Sequence, residues 1–230
     1  MSAAPDRRTP VAVLGATGAV GQTFIRLLEG HPWFRLAEVA ASERSAGKTY
    51  GDAARWVGNS DMPADIRAMT VRACDPSDVT SGIVFSALDS SVAGDVEAAF
   101  ARAGRMVLSN ARNFRMDDDV PLVIPEVNAD HLALLDVQRK KRGWSGAIVT
   151  NANCASIMAV MPLAPLHAAF GINRLFIATM QAVSVSIFGS SSLMNGTTFP
   201  RMSSEGTPGY PAPDTACMVA MKRRLMPNAA

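Results

Sequence analysis

The apolar residues of this chain follow two alternating patterns. Residues 11–14, 34–41, 83–88, 106–109 and 146–149 are short, nearly unbroken apolar runs. Such runs read as strands covered on both faces, as in a parallel sheet. Between them lie stretches with helical character: residues 22–30 with Phe24, Ile25, Leu27 and Leu28, residues 92–104, and the apolar stretch 155–170. Strands that alternate with helices predict an α/β fold, a doubly wound parallel sheet of the Rossmann type over residues 11–150. Residues 51–70 are polar and irregular and are expected to cover a sheet edge. Val71 opens a further strand, and a short helix is expected to start near Ser77 or Asp78. Residues 185–230 are rich in Ser, Gly, Pro, Thr and Met without sustained periodicity, which predicts an irregular tail. Residues 1–10 are a polar N-terminal tail.

Composition narrows the function. With 230 residues the chain can hold one large domain or one and a half ordinary ones. A formal net charge of +2 gives no argument for a nucleic-acid or membrane partner. Cys74, Cys154 and Cys217 are far apart and odd in number, with neither a metal spacing nor a disulfide framework. That usage fits a reducing compartment and predicts a cytoplasmic protein with no metal site. The first ten residues include Arg7 and Arg8 but lack the apolar core of a secretory signal. No apolar run is long enough to span a bilayer.

The first predicted strand runs into Gly15, Ala16, Thr17, Gly18, Ala19, Val20 and Gly21. Strand, glycine turn and helix are the setting of a dinucleotide fingerprint, here with the spacing G-x-x-G-x-x-G. In that reading Gly15 makes the tight turn, Gly18 admits a pyrophosphate and Gly21 lets the helix pack on the strand. The second strand lacks a terminal acid for a ribose 2′-hydroxyl, because Glu38 stands too early, inside the strand. The strand ends instead in a loop with Ser42, Arg44, Ser45 and Lys48. Two hydroxyls and two cations suit a 2′-phosphate, so the expected cofactor is NADP, with Glu43 turned away. Ser86, within the strand 83–88, and Asp89, in the loop that follows it, are further candidates for cofactor contact, since that loop lies at the C-terminal sheet edge where such folds bind ligands.

The turn Thr150-Asn151-Ala152-Asn153-Cys154-Ala155-Ser156 joins a strand to an apolar helix. It places Cys154 at a helix N-terminus, where free N–H groups and the helix dipole favour a thiolate. Cys154 is therefore the candidate nucleophile, with Asn151 and Asn153 beside it to hold polar substrate groups. A buried structural cysteine is the alternative.

These residues together resemble the aspartate-β-semialdehyde dehydrogenases, most of all the archaeal and fungal branch. The resemblance rests on residues 15–21, 42–48, Ser109-Asn110 through Phe114-Arg115-Met116, residues 120–128, the Cys154 turn, and Met180-Gln181-Ala182-Val183-Ser184. It covers about residues 11–184 in the family's order. It implies NADPH-dependent reduction of L-aspartyl-4-phosphate to aspartate semialdehyde, or the reverse with phosphate, on the route to lysine, threonine and methionine. It also implies roles. Cys154 attacks the carbonyl and carries a thioacyl intermediate, and Gln181 orients the substrate. Arg115 binds the phosphate, as suits a guanidinium at a strand end, while Asn110 and Asn153 line the pocket. The family's assemblies are homodimers and homotetramers. The chain departs from the pattern at Ala152, where the family usually has Pro, and at Ala155-Ser156, where it has Ser-Thr.

Residues 151–184 read as the start of the family's second, α+β catalytic and dimerisation domain, and after Ser184 the resemblance stops. The family's carboxylate-binding Arg and acid/base His belong to the stretch that finds no match, so the expectation is a truncated chain. Its own histidines are poor substitutes: His167 stands thirteen residues beyond Cys154 on one predicted helix, which is roughly 20 Å. His31 follows the first helix and His131 sits at a helix start. Two other readings stay open. One is a related N-acetyl-γ-glutamyl-phosphate or malonyl-CoA reductase; the other is a non-catalytic NADP-binding fragment or a partner of full-length subunits.

Overall fold

Strand β1 (Thr9–Leu14) carries four consecutive residues without solvent exposure: Val11, Ala12, Val13 and Leu14. Alternate residues of a strand point to opposite faces, so both faces of this strand are covered. The computed structural model, which describes residues 6–57 and 61–177, shows what covers them. After β1 come α1 (Ala19–Leu28), β2 (Phe34–Ala41), the one-turn helices α2 (Tyr50–Ala53) and α3 (Ala64–Arg67), and β3 (Val71–Ala73). Next are β4 (Ile83–Ser86), α4 (Ser90–Arg102) and β5 (Met106–Ser109). Then follow β6 (Leu122–Val123), α5 (Pro125–Asn128), a 3-10 turn (Ala129–Ala133), α6 (Leu134–Arg142), β7 (Ala147–Asn151) and α7 (Cys154–Phe170).

The strands form one sheet in the order β3-β2-β1-β4-β5-β7-β6, parallel at every pairing. The winding reverses between β1 and β4, which makes the doubly wound sheet that the alternation predicts and opens a crevice at the strand ends. Val11 and Val13 pack with Ile25, Val39 and Tyr50 on one face. Ala12 and Leu14 pack with Val84, Phe100, Val107 and Ile148 on the other. Each large apolar side chain buried in this way contributes about 1.5–3 kcal/mol.

Register decides what meets at the sheet edge. Ala40, Leu14, Ser86, Ser109 and Thr150 are paired in one continuous row across β2, β1, β4, β5 and β7. The residues one step further, Gly15, Ala87, Asn110 and Asn151, therefore stand side by side, the first three just past their strands and Asn151 as the last residue of β7. Backbone bonds tie those exits together: Ala87 N–H donates to the Leu14 carbonyl at 2.9 Å and Asn110 N–H to the Ser86 carbonyl at 3.0 Å.

Two local expectations are corrected. No helix starts at Ser77 or Asp78, because the Asp75 carboxylate accepts from the Ser77 N–H and hydroxyl and folds the chain into a turn. Residues 51–70 are not wholly irregular, since they include most of α2 and all of α3, and Tyr50 at their border is fully buried. The stretch 120–128 contains an additional edge strand, β6, paired with β7. The chain divides into two compact units, Met1–Pro162 and Leu163–Ala230. The sheet lies in the first. Among described residues the second contains the end of α7 and the non-regular stretch 171–177. Gln181, Cys217 and the tail 185–230 lie outside the described residues. No described helix is long and apolar enough to cross a membrane.

Candidate active site

The turn after β1 is built from glycine for two different reasons. Gly15 has φ +71, and a Cβ there would lie 2.7 Å from the Ala87 carbonyl oxygen. Both its own backbone and the neighbouring exit loop exclude a side chain. Gly21 is buried in the first turn of α1, and a Cβ there would collide with the Gly15 carbonyl and lie 2.7 Å from the Ala16 Cα. Gly18 is different. It is the exposed N-cap of α1 with φ −78, and a Cβ there meets Gly15 only at an ordinary 3.4 Å. The first N–H groups of the helix have no partner within it. Its first turn carries no acid and its cap contributes no side-chain bond, so the positive helix end stays available to an anion. Ala19 and Val20 are exposed there, and Thr17 is half-buried.

Two buried side chains brace this turn, and neither stands out in the sequence. The Tyr50 hydroxyl donates to the Ala16 carbonyl at 2.7 Å, and burial pushes the phenol up to about 12, so it stays a neutral donor. Gln22 Nε2 donates to the Thr17 carbonyl at 3.0 Å and the Arg55 carbonyl at 2.9 Å, while its oxygen accepts from Val57 N–H at 2.7 Å.

The loop after β2 is a compact pair of turns. Ser45 N–H donates to the Ser42 carbonyl at 2.8 Å and Lys48 N–H to the Ser45 carbonyl at 3.2 Å. Ser42, Arg44 and Lys48 are exposed, Ser45 is half-buried, and neither cation forms an ion pair among the described residues. Glu38 is buried in β2, where it accepts from Thr80 and Ser81. Burial raises its carboxyl, but these donors outweigh it and leave the group below its ordinary range. Its role is thus to fasten residues 80–81 to β2, and it is not available to a ribose.

Ser86 is fully buried, its hydroxyl beside Glu97 of α4. Asp89 is exposed and caps α4; the Ser91 N–H donates to it at 2.9 Å and holds its carboxyl below the usual range. Asn110 leaves β5 and faces β7, where the Asn151 side-chain amide donates to its side-chain oxygen at 2.6 Å. Half-buried Arg115 folds back and donates from Nη2 to the Asn110 carbonyl at 2.8 Å. The far end of this loop is clamped by Arg142, which pairs with Asp117 and Asp119 and stacks over Phe114 and Trp144 at 5.5 and 4.9 Å.

Asn153 caps α7: its side-chain oxygen accepts from Ala155 N–H at 3.0 Å and its carbonyl from Ile157 N–H at 2.9 Å. Cys154 is the first residue of the helix, exposed and with a free thiol. Cys74, by contrast, is largely buried, which pushes its thiol up. The arrangement brings the glycine turn, the loop 110–115 and the Cys154 turn to the same C-terminal sheet edge. A separate cavity of about 240 Å³, lined by Ile25, Leu28, Leu36, Trp56 and Ile66 among others, contains none of these residues. Among the described residues no cluster of His, Cys, Asp and Glu could hold a metal ion.

Comparison with known proteins gives a consistent picture. The family model described as semialdehyde dehydrogenase, NAD binding domain, matches residues 10–135. An aspartate-semialdehyde dehydrogenase from Archaeoglobus fulgidus is 51% identical over 177 residues, 77% of this chain and 51% of the relative. A malonyl-CoA reductase (NADP) from Metallosphaera sedula is 41% identical over 180 residues, 77% of this chain and 50% of the relative. Among solved structures, aspartate semialdehyde dehydrogenase with NADP from Candida albicans superposes with a TM-score of 0.65 at 42% identity, covering 72% of this chain and 48% of that one. The chain spans about half the length of the curated relatives it matches.

Proposed function

The chain belongs to the semialdehyde dehydrogenase family, and from that premise we propose that it is the NADP-binding and thiol-bearing part of an aspartate-semialdehyde dehydrogenase. The observation that carries the proposal is the shared sheet edge, where a glycine cradle open to an anion leaves β1 and a cysteine at a capped helix start leaves β7. The cradle fits a dinucleotide because Gly15 and Gly21 let the turn close tightly against Ala87 and Ala16, while the exposed N-terminus of α1 carries no acid. Gly18, Ala19 and Val20 would receive the pyrophosphate. Arg44, Lys48 and the two serines of the loop 42–48 would receive the 2′-phosphate. NADP, when bound, supplies the hydride acceptor, and NADPH the donor.

The remaining chemistry falls to the chain's own side chains. Cys154 Sγ adds to the aldehyde carbon of aspartate semialdehyde, forming a carbon–sulfur bond; loss of hydride from that carbon leaves a thioester on the sulfur. An oxygen of phosphate then attacks the acyl carbon, the carbon–sulfur bond breaks, and the thiolate is regenerated with aspartyl phosphate as product. Sγ stands on the first residue of α7, at the end where the helix leaves its backbone N–H groups free. Arg115 and Asn110 hold the phosphate for its attack on the acyl carbon, and Asn153 sets the helix end on which the sulfur stands. Gln181 is retained in the proposal as an orienting residue.

The test is incubation of the chain with aspartate semialdehyde and NADP without phosphate, followed by intact mass and NADPH absorbance. The expected result is an acyl adduct on Cys154 that phosphate removes and that Cys154→Ser lacks. No adduct, with NADPH binding intact, would favour a non-catalytic NADP-binding role. Similarity to the malonyl-CoA reductase supports a second substrate class, and acylation of Cys154 by malonyl-CoA in place of the semialdehyde would select it.

A further inference from the structure

Glu97 is a carboxyl residue without solvent exposure on the buried face of α4, one turn from both Ala93 and Ala101. It lies beneath the row of strand ends. One of its oxygens accepts from the Ser109 hydroxyl at 2.8 Å. The other has no partner within bonding geometry, although the equally buried and unpartnered Ser86 hydroxyl lies beside it. The strands β4, β5 and β7 contribute no ionisable side chain, so no cation faces the carboxyl from the sheet. The other charges nearby in the chain are Asp95 and Arg102 on α4 itself and Arg112 and Arg115 on the loop after β5. A carboxylate in this place would be an uncompensated buried charge. The neutral acid avoids that cost and has a hydrogen to give to Ser86. Burial accordingly pushes the carboxyl up.

Ser109 gives its hydrogen to Glu97 and accepts from the Ala111 N–H at 3.1 Å, which fixes the first turn after β5. That same turn carries Asn110, which meets Asn151 through its side chain and Arg115 through its carbonyl. We propose that Glu97 is the positioning residue of the loop 110–115: through Ser109 it sets Asn110 and Arg115 in register with Asn151 and the Cys154 turn, while touching no ligand itself. The proposal rests on the reading of Arg115 as an anion ligand. It carries a pH consequence. Ionising Glu97 breaks the donor to Ser86 and charges the base of the loop, so anion binding weakens as pH rises through the raised range of this carboxyl.

The test uses the full chain and sulfate, an anion that stays fully ionised from neutral to alkaline pH. Sulfate is titrated calorimetrically into the wild type, Glu97→Gln, Glu97→Leu and Arg115→Ala. The Gln amide accepts from Ser109 and donates to Ser86 but cannot ionise. The expected result is an alkaline fall in affinity of roughly 10-fold in the wild type that Glu97→Gln does not share. Both proteins keep Cys154, so any contribution of that side chain cancels between them. Glu97→Leu should bind sulfate roughly 10-fold more weakly across the range; if circular dichroism shows it unfolded, the Gln comparison decides alone. Superimposable wild-type and Gln profiles, or undiminished binding by a folded Leu variant, overturn the proposal while weakened Arg115→Ala still upholds the anion site. Undiminished binding by Arg115→Ala overturns the anion site and the role of Glu97 together.

Discussion

Replacing each of the three turn glycines by alanine separates structure from binding. Gly15→Ala places a side chain at φ +71, a conformation that costs an L-residue about 1–2 kcal/mol. Its Cβ would also press to 2.7 Å on the Ala87 carbonyl oxygen, and relieving an overpacked contact costs roughly 1–3 kcal/mol more. The expected loss of stability is therefore about 2–5 kcal/mol. Gly21→Ala brings its Cβ into a tighter backbone collision, with the Gly15 carbonyl and the Ala16 Cα, offset by about 1 kcal/mol of helix propensity, so its loss should be comparable. Gly18→Ala has permitted dihedrals and only an ordinary contact, so it should cost no more than about 1 kcal/mol as a poorer N-cap. Its methyl, however, stands on the face where a pyrophosphate approaches, and NADPH affinity should fall by roughly 10-fold or more, about 1.4 kcal/mol. Urea denaturation followed by circular dichroism measures the first quantity and calorimetric titration with NADPH the second. Gly15→Ala and Gly21→Ala should both lose far more stability than Gly18→Ala, with binding lost in Gly18→Ala while the fold is kept. A Gly18 variant that binds NADPH like the wild type, or one as unstable as Gly15→Ala, would refute this division of roles.

Arg44→Ala should weaken NADPH by about 10- to 100-fold, the worth of one or two charged hydrogen bonds, and leave NADH unchanged in the same calorimetric titration. Brief iodoacetamide exposure near neutral pH should label exposed Cys154 well before Cys74, whose thiol burial pushes up; peptide mass spectrometry reads the order. Asp119 is held at about 2 by hydrogen bonds from Arg142 first, despite burial. A depressed carboxyl stabilises the fold above its unfolded value and loses that contribution as pH falls toward 2, so Asp119→Asn should cost about 2 kcal/mol near neutrality and flatten the acid limb of a stability–pH curve. Glu97 has the opposite sign. Its contribution is complete below the unfolded carboxyl range and is lost as pH rises through the raised folded value, so Glu97→Gln should gain relative stability at alkaline pH.

What the sequence determined by itself was local. The apolar run 11–14 could be nothing but a strand covered on both faces, and the glycines that follow it could only make a tight turn into a helix. The asparagine and cysteine before an apolar stretch marked a capped helix start, and Asn153 and Cys154 occupy those positions. Such features are carried by neighbours in the chain, through periodicity, dihedral freedom and capping. Tertiary structure decided which polar groups face each other across distance. Tyr50 looked like the edge of an irregular stretch, yet it reaches back thirty-four residues to the Ala16 carbonyl. Glu97 could have been noticed as an acid at helical spacing from Ala93 and Ala101, but its partners on β4 and β5 depended on strand order and register. Ser86 shows the same limit from the other side: its place on a strand was legible, whereas its position at the strand end and its burial beside Glu97 followed from the assembled sheet and from how α4 packs on it. Hydrophobic pattern places an element and its inner face, but a buried polar group must find its partner wherever the fold brings one, and that partner is fixed only when the sheet is assembled.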